Sequence, residues 1–273
     1  MPEGGRLLYR GRRVLRGIER PEEIWELVTA NDPRLATTDG LPSQELPPAL
    51  ELLADASSFV GRSVERDQLR RLWQRARAGQ WLVATVTGEA GMGKSRLVAE
   101  LAAEVHSDGG HVLLGSCFED LGVPYEPFVQ ALTADVAGLA DAEVRRRVGT
   151  HGRAVARLVP ELVPLLGGGD PGVAAGRVAD RAEIYAALND YLCRAAEGAP
   201  LLLVLEDLHW STPTTRHALR HLARAGRHAP ILVVVTARDS PPELDQALAA
   251  FLGDMARHPT VATVALSGLA ESE

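Results

Sequence analysis

The sequence predicts an α/β fold: a five-stranded parallel sheet layered between helices, with a short β-hairpin and a linker ahead of it. Three observations carry that expectation. Five nearly continuous apolar runs, WLVATV (81–86), HVLLGS (111–116), LLLVL (201–205), ILVVVT (231–236) and TVATVAL (260–266), lack the polar alternation of a half-exposed strand. Such runs belong to strands covered on both faces, as in a parallel sheet. Helical spacings fall between them, and a glycine-rich stretch, GEAGMGKS (88–95), stands between the first run and a helical pattern. Alternating strand and helix with short connections gives a layered fold with right-handed crossovers.

Taken in order, residues 1–28 hold two short apolar segments, Leu7-Leu8-Tyr9 and Ile24–Val28, around a turn, which predicts the hairpin. Residues 29–57 are rich in Pro, Asp, Glu and Ser and read as a linker, with one short helix from Pro48 to Ala54. Residues 58–273 form the layered domain. Within it Leu69, Leu72, Trp73 and Ala76 recur at helical spacing before the first strand. Leu97, Val98, Leu101 and Val105 do so after the glycine stretch and should face the sheet. Ile184, Leu188, Tyr191, Leu192 and Ala195 mark a helix before the third strand. Thr212-Pro213 predicts a helix start with proline at the first position. Ser240-Pro241-Pro242-Glu243 predicts another, with Ser240 capping and Glu243 completing a capping box.

Composition narrows the function classes. A net charge of −7 argues against sequence-blind nucleic-acid binding, which needs a basic face, so no direct nucleic-acid partner is expected. The run Arg145-Arg146-Arg147 reads as a solvated helix face. Cys117 and Cys193 have neither metal-ligand spacing nor a disulfide framework, which fits a reducing compartment. The N-terminal MPEGGRLLYRGRR lacks the apolar run of a signal peptide, and no stretch approaches the roughly 18 apolar residues of a membrane span. A cytoplasmic protein without a membrane partner is expected.

The stretch GEAGMGKS holds the only lysine among 29 basic Lys and Arg side chains. It fits G-x-x-x-x-G-K-[ST] from Gly88, Glu89, Ala90, Gly91, Met92 and Gly93 to Lys94 and Ser95. Glycines let the backbone wrap a polyphosphate with its N–H groups inward, and the helix that follows adds its positive end. A compact ammonium reaches phosphate oxygens inside a tight loop where a planar guanidinium would not fit in the same way. The Ser95 hydroxyl suits Mg²⁺, which takes oxygen ligands. Glu206 and Asp207 end the run LLLVLED, at the carboxyl end of a buried strand where open α/β sheets bind ligands. One acid is expected to hold Mg²⁺ and the other to polarise an attacking water. Arg238 follows ILVVVTA and points toward the terminal phosphate if its strand neighbours the first one. His209-Trp210 reads as packing under this loop. Phe118, Tyr125 and Phe128 either border the nucleotide or pack the exit of the second strand.

Five segments in order, SFVGRSVERDQLRRLW, VTGEAGMGKSRLVAEL, GSCFEDLGVPYEPFVQAL, LLLVLEDLHWSTPTT and ILVVVTARD, resemble the STAND-type, or Orc1-like AAA, P-loop ATPase domain of bacterial MalT/LuxR-like regulators over residues 58–269. The resemblance implies a three-layer P-loop NTPase with strands in the order 5-1-4-3-2. It also implies ATP and Mg²⁺ as ligands and a slow ATPase that resets a regulatory switch. By the same resemblance Val60, Gly61 and Arg62 line the adenine side, Ser95 and Glu206 hold the metal, Asp207 polarises water and Arg238 senses the γ-phosphate. Two departures are visible: the family usually has Asp where Glu206 stands, and often Glu where Ser63 follows Gly61-Arg62. Ahead of the domain, RRVLRGIERPEEIWELV is similar to the closing hairpin of class III adenylate cyclase domains. Only that tail is present, so no cyclase activity is expected. The chain stops where the family enters its next module, so it is expected to be a fragment of a larger regulator that meets protein partners or itself through the ATPase domain. The alternatives are a scaffold that binds nucleotide without hydrolysing it, and a DNA-loading AAA-type ATPase.

Overall fold

The computed structural model of the protein describes residues 5–13, 22–29, 45–55, 61–119, 122–166, 181–225, 228–240 and 244–268. Strands β1 (Gly5–Arg13) and β2 (Glu22–Thr29) pair antiparallel as the expected hairpin, with an irregularity between Tyr9 and Arg12. Helix α1 (Pro48–Asp55) is the short helix expected in the linker. The layered domain then runs α2 (Ser63–Arg77), β3 (Trp81–Thr87), α3 (Lys94–Ser107) and β4 (His111–Ser116). Helices α4 (Glu126–Ala137), α5 (Asp141–Val148), α6 (Gly152–Leu158) and α7 (Arg181–Ala195) follow. The chain continues through β5 (Leu201–Glu206), α8 (Pro213–Arg224), β6 (Ile231–Ala237), α9 (Gln246–Ala256) and β7 (Val261–Ala265).

The five strands form one parallel sheet in the order β4-β5-β6-β3-β7. Numbered in chain order this is 2-3-4-1-5, the expected arrangement read from the other edge. Placing β6 beside β3 puts the chain that leaves β6 next to the chain that leaves β3. Both faces of the sheet are covered, and the period of two decides which side chain meets which layer. Val83, Leu203, Leu205, Val233 and Val235 pack with α4 to α9. Leu82, Ala84, Leu202, Val204 and Val234 pack with α1, α2 and α3 through Leu50, Leu69, Trp73, Leu97 and Leu101. The apolar helical positions expected at 69–76, 97–105 and 184–195 are buried.

Thr212 caps α8 as expected, its Oγ1 accepting the Thr215 N–H at 3.3 Å, with Pro213 in the first turn. The expected capping box at Ser240 is different. The Leu244 N–H donates to the Ser240 carbonyl at 3.1 Å, and Asp245 caps α9 by accepting the Leu248 N–H at 2.5 Å. Asp and Ser cap about equally well, and here the cap is Asp245; residues 241–243, with Glu243 of the expected box, lie outside the described residues.

The Arg145–Arg147 run is not a uniformly solvated face. Arg147 is 3% exposed and donates to Asp135 Oδ1 at 2.7 Å. Asp135 also accepts the Tyr191 hydroxyl at 2.6 Å and stands 3.0 Å from His111 Nε2. Arg146 pairs with Glu143 at 2.7 Å and with Glu197, leaving Arg145 exposed. A helix crossing other helices turns one residue in each set of three or four inward, and here the inward one found a buried carboxylate. Burial pushes the Asp135 carboxyl up, but the His111 hydrogen bond and charge, with Arg147 and Tyr191, outweigh it and hold the group well below the usual carboxylate range.

Candidate functional site

The glycine-rich turn is built by contacts that admit no side chain at its first position. Strand β3 ends at Thr87, whose carbonyl accepts the Leu266 N–H at 2.7 Å. A Cβ on Gly88, at φ 154°, would lie 2.8 Å from the Leu266 carbonyl oxygen. Further along, Gly91 and Gly93 adopt φ of 78° and 82°, with no atom within 4 Å of where a Cβ would stand. The turn therefore has a closed side against β7 and an open side at Gly91 and Gly93. Gly93 is the N-cap of α3, so the unpaired N–H groups of the first helical turn open at the loop.

Lys94 is 7% exposed and folds into this turn, donating from Nζ to the carbonyls of Gly88 at 2.8 Å and Glu89 at 2.7 Å. Burial pulls its pKa down; Asp207 and Asp239 oppose that, and Arg238 reinforces it. All three are thus close enough to act on the ammonium. Arg62 reaches the loop from the other side: it has left-handed backbone, φ 60°, and is 6% exposed. Its Nη2 donates to the Met92 carbonyl at 3.4 Å and its Nη1 to Glu65 at 3.1 Å. Glu65, three residues beyond Arg62, is the acid that occupies it.

Glu206 ends β5 opposite Ser116, and its carboxylate meets the Ser95 hydroxyl. Burial raises its pKa, the Ser95 hydrogen bond offsets part of that, and Asp207 adds to the rise. Its Oε1 is buried and accepts no hydrogen bond. A buried carboxylate oxygen without a donor, beside a hydroxyl, is an oxygen pair that suits a hard divalent cation. Among the described residues no three His, Cys, Asp or Glu side chains cluster to hold a metal. A cation here would complete its shell with phosphate oxygens and water, as Mg²⁺ does.

Asp207 has φ 56° and ψ 45°, and its side chain is 46% exposed. Its N–H donates to Thr236 Oγ1 at 2.9 Å and its carbonyl accepts the Trp210 N–H at 2.9 Å. Arg238 leaves β6 one residue after the Thr87–Ala237 pair, beside the start of the loop. The carboxyl ends of three strands, β3, β5 and β6, thus bring Gly88 to Ser95, Glu206, Asp207, Arg238 and, from the α2 start, Gly61 and Arg62 to one place; Val60 lies outside the described residues. His209 is buried and packs against Trp210 with ring centroids 4.8 Å apart and the planes tilted by 46°, as the packing expectation has it. Phe128 is fully buried and Tyr125 is 7% exposed, so both pack, while Phe118 is 48% exposed.

Sequence reasoning missed two members. Thr236 looked like the last residue of an apolar strand; the signal was a hydroxyl in a run otherwise made of Ile, Leu and Val. Asp239, directly after Arg238, bears on the charge of Lys94, and no local pattern in the sequence singles it out.

With the geometry in view, comparisons with known proteins give the following. The family model described as AAA ATPase domain matches residues 58–234. An uncharacterized protein of Rhizobium meliloti (strain 1021) is 26% identical over 248 residues, 85% of this chain and 22% of its own length. The chain thus spans less than a quarter of that relative. Among solved structures, Cdc6p from Pyrobaculum aerophilum is 16% identical with a TM-score of 0.41, covering 78% of this chain and 48% of that one. A Signal Transduction ATPase with Numerous Domains (STAND) protein with a tetratricopeptide repeat sensor, from Pyrococcus horikoshii, is 18% identical with a TM-score of 0.39, covering 78% and 24%. Among the described residues no helix is long and apolar enough to cross a membrane. A match over more than half of its length shows that the chain belongs to the AAA ATPase domain family.

Proposed function

We propose that this chain is a nucleotide-dependent regulatory module that binds ATP with Mg²⁺ at the 88–95 loop and hydrolyses it slowly. The observation that carries the reading is the convergence on one loop of Lys94, the Ser95–Glu206 pair with its orphaned oxygen, and the charges of Asp207 and Arg238. In this reading the backbone N–H groups from Gly91 to Ser95 cradle the phosphates, and Lys94 exchanges two carbonyl partners for phosphate oxygens. Ser95 and Glu206 hold Mg²⁺, whose charge, when bound, neutralises the β- and γ-phosphates. Asp207, partly exposed beside them, orients a water, and Arg238 contacts the γ-phosphate and distinguishes ATP from ADP. Gly61 and Arg62 flank the loop on the adenine side.

The STAND-type resemblance supports a switch in a larger regulator, with the hairpin as the tail of a cyclase-like domain and the ATPase domain as the surface for protein partners or self-association. A second reading, nucleotide binding without turnover, is favoured by Glu206, which carries one methylene more than the family's usual Asp. Calorimetric titration with Mg·ATP and single-turnover phosphate release separate the two. Binding with measurable release supports the switch, binding with none supports the scaffold, and no binding by the folded protein refutes both. Lys94→Ala is expected to weaken Mg·ATP affinity by on the order of 10²-fold, the cost of a charged hydrogen-bond partner to phosphate, with the melting temperature little changed.

A further inference from the structure

We propose that Thr236 is a positioning residue for Asp207, a role that rests on the reading of Asp207 as the water-orienting acid. Asp207 sits between the last residue of β5 and a short 3₁₀ turn over Leu208–Trp210, in left-handed backbone at φ 56° and ψ 45°. Residues with a Cβ disfavour that conformation; Asp tolerates it but needs the surroundings to hold it. Two hydrogen bonds do so. The Trp210 N–H closes the turn onto the Asp207 carbonyl at 2.9 Å, and the Asp207 N–H is taken at 2.9 Å by Thr236 Oγ1 on the neighbouring strand.

The second bond is the informative one. A parallel ladder satisfies its own N–H groups with backbone carbonyls, and the β5–β6 register stops at Leu205–Val235. Past that pair, a side chain replaces the backbone acceptor. Thr236 is fully buried, within a strand whose other members are Ile, Leu, Val and Ala, so its hydroxyl is an expensive choice for packing alone. Asp207's own carboxylate is 46% exposed, with the buried His209 ring 3.9 Å from its Oδ1 on one side, so the backbone beneath it is the main constraint on its direction. Thr236 therefore aims that carboxylate. It lies two residues before Arg238 on the same strand end, so a single segment fixes both the acid and the cation that face the loop.

The test compares Thr236→Val, which keeps the shape and deletes the acceptor, with Thr236→Ser, which keeps the hydroxyl. Two readouts are needed, in the full chain. Amide hydrogen exchange at Asp207 should quicken by about tenfold or more in Thr236→Val and stay near wild type in Thr236→Ser, whether or not ATP is the ligand. Single-turnover hydrolysis should fall by on the order of 10²-fold in Thr236→Val with Mg·ATP affinity within about twofold of wild type, and recover in Thr236→Ser. Unchanged Asp207 exchange overturns the proposal outright. Faster exchange with an unchanged hydrolysis rate leaves the bond real and overturns its positioning role. Wild-type protein that neither binds nor hydrolyses ATP defeats the reading of the site instead, and the exchange result still decides whether Thr236 holds Asp207. If Thr236→Val does not fold, Thr236→Ala replaces it; equal losses of affinity and rate there would mark a structural role only and overturn the proposal.

Discussion

Two carboxylates, the fully buried Asp135 and the partly buried Glu206, sit in opposite electrostatic settings. Asp135 accepts from Arg147 at 2.7 Å and Tyr191 at 2.6 Å, with His111 Nε2 3.0 Å away. Removing it strands a buried guanidinium, so Asp135→Ala is expected to cost about 3–5 kcal/mol in urea unfolding. Because its folded pKa lies below the unfolded value of about 3.9, the network's contribution is complete above about pH 5 and is lost as pH falls further. Stability profiles of wild type and variant should therefore converge in acid. Glu206 has the reverse setting, a raised pKa from burial and a buried oxygen with no donor. Glu206→Gln relieves that cost and should raise the melting temperature of the nucleotide-free protein by a few degrees, about 1 kcal/mol. The same variant should lose the Mg²⁺-dependent part of nucleotide affinity, read by thermal shift with and without Mg²⁺. Equal Mg²⁺ responses in wild type and variant would remove Glu206 from the metal site.

At the scale of elements, the segment read as linker contains a helix that belongs to the core. Leu50 of α1 is fully buried in the same layer as Leu69, Leu97 and Leu101, whereas Leu52 is 74% exposed. Arg96, the residue after Ser95, donates to the Leu53 carbonyl near the C-terminus of α1 and pairs with Glu100 at 2.7 Å. Leu50→Ala should cost about 2–5 kcal/mol in chemical denaturation and Leu52→Ala almost nothing, a contrast that an undocked helix would not give. Pro48 and the apolar spacing made α1 visible in the sequence, but eight residues cannot show what they pack on. Helices α4 and α6 were not legible, and α5 showed only as the Arg145–Arg147 run. Their apolar residues, such as Phe128, Val144 and Val155, lie in short pieces broken by Gly138, Gly149 and Gly152, too brief for a period to stand out. Gly115 hides another constraint, since a Cβ there would overlap the Pro127 carbonyl where α4 crosses β4.

For the molecule as a whole, the sheet was readable because strands buried on both faces announce themselves as apolar runs, and the order 5-1-4-3-2 came with the resemblance rather than with the runs. The loop was readable because its glycines and single lysine are local. What joins the strand ends was not, since the bond from Asp207 to Thr236 spans 29 positions and leaves no local pattern. In the proposed function those strand ends close around one polyphosphate. A crystal structure with Mg²⁺ and a non-hydrolysable ATP analogue tests it most directly. The expected result has Lys94 Nζ moved from the Gly88 and Glu89 carbonyls onto phosphate oxygens, at about 2.7–2.9 Å, with Glu206 and Arg238 flanking the terminal phosphoryl group. A structure with Lys94 still on those two carbonyls and the nucleotide bound elsewhere would contradict it.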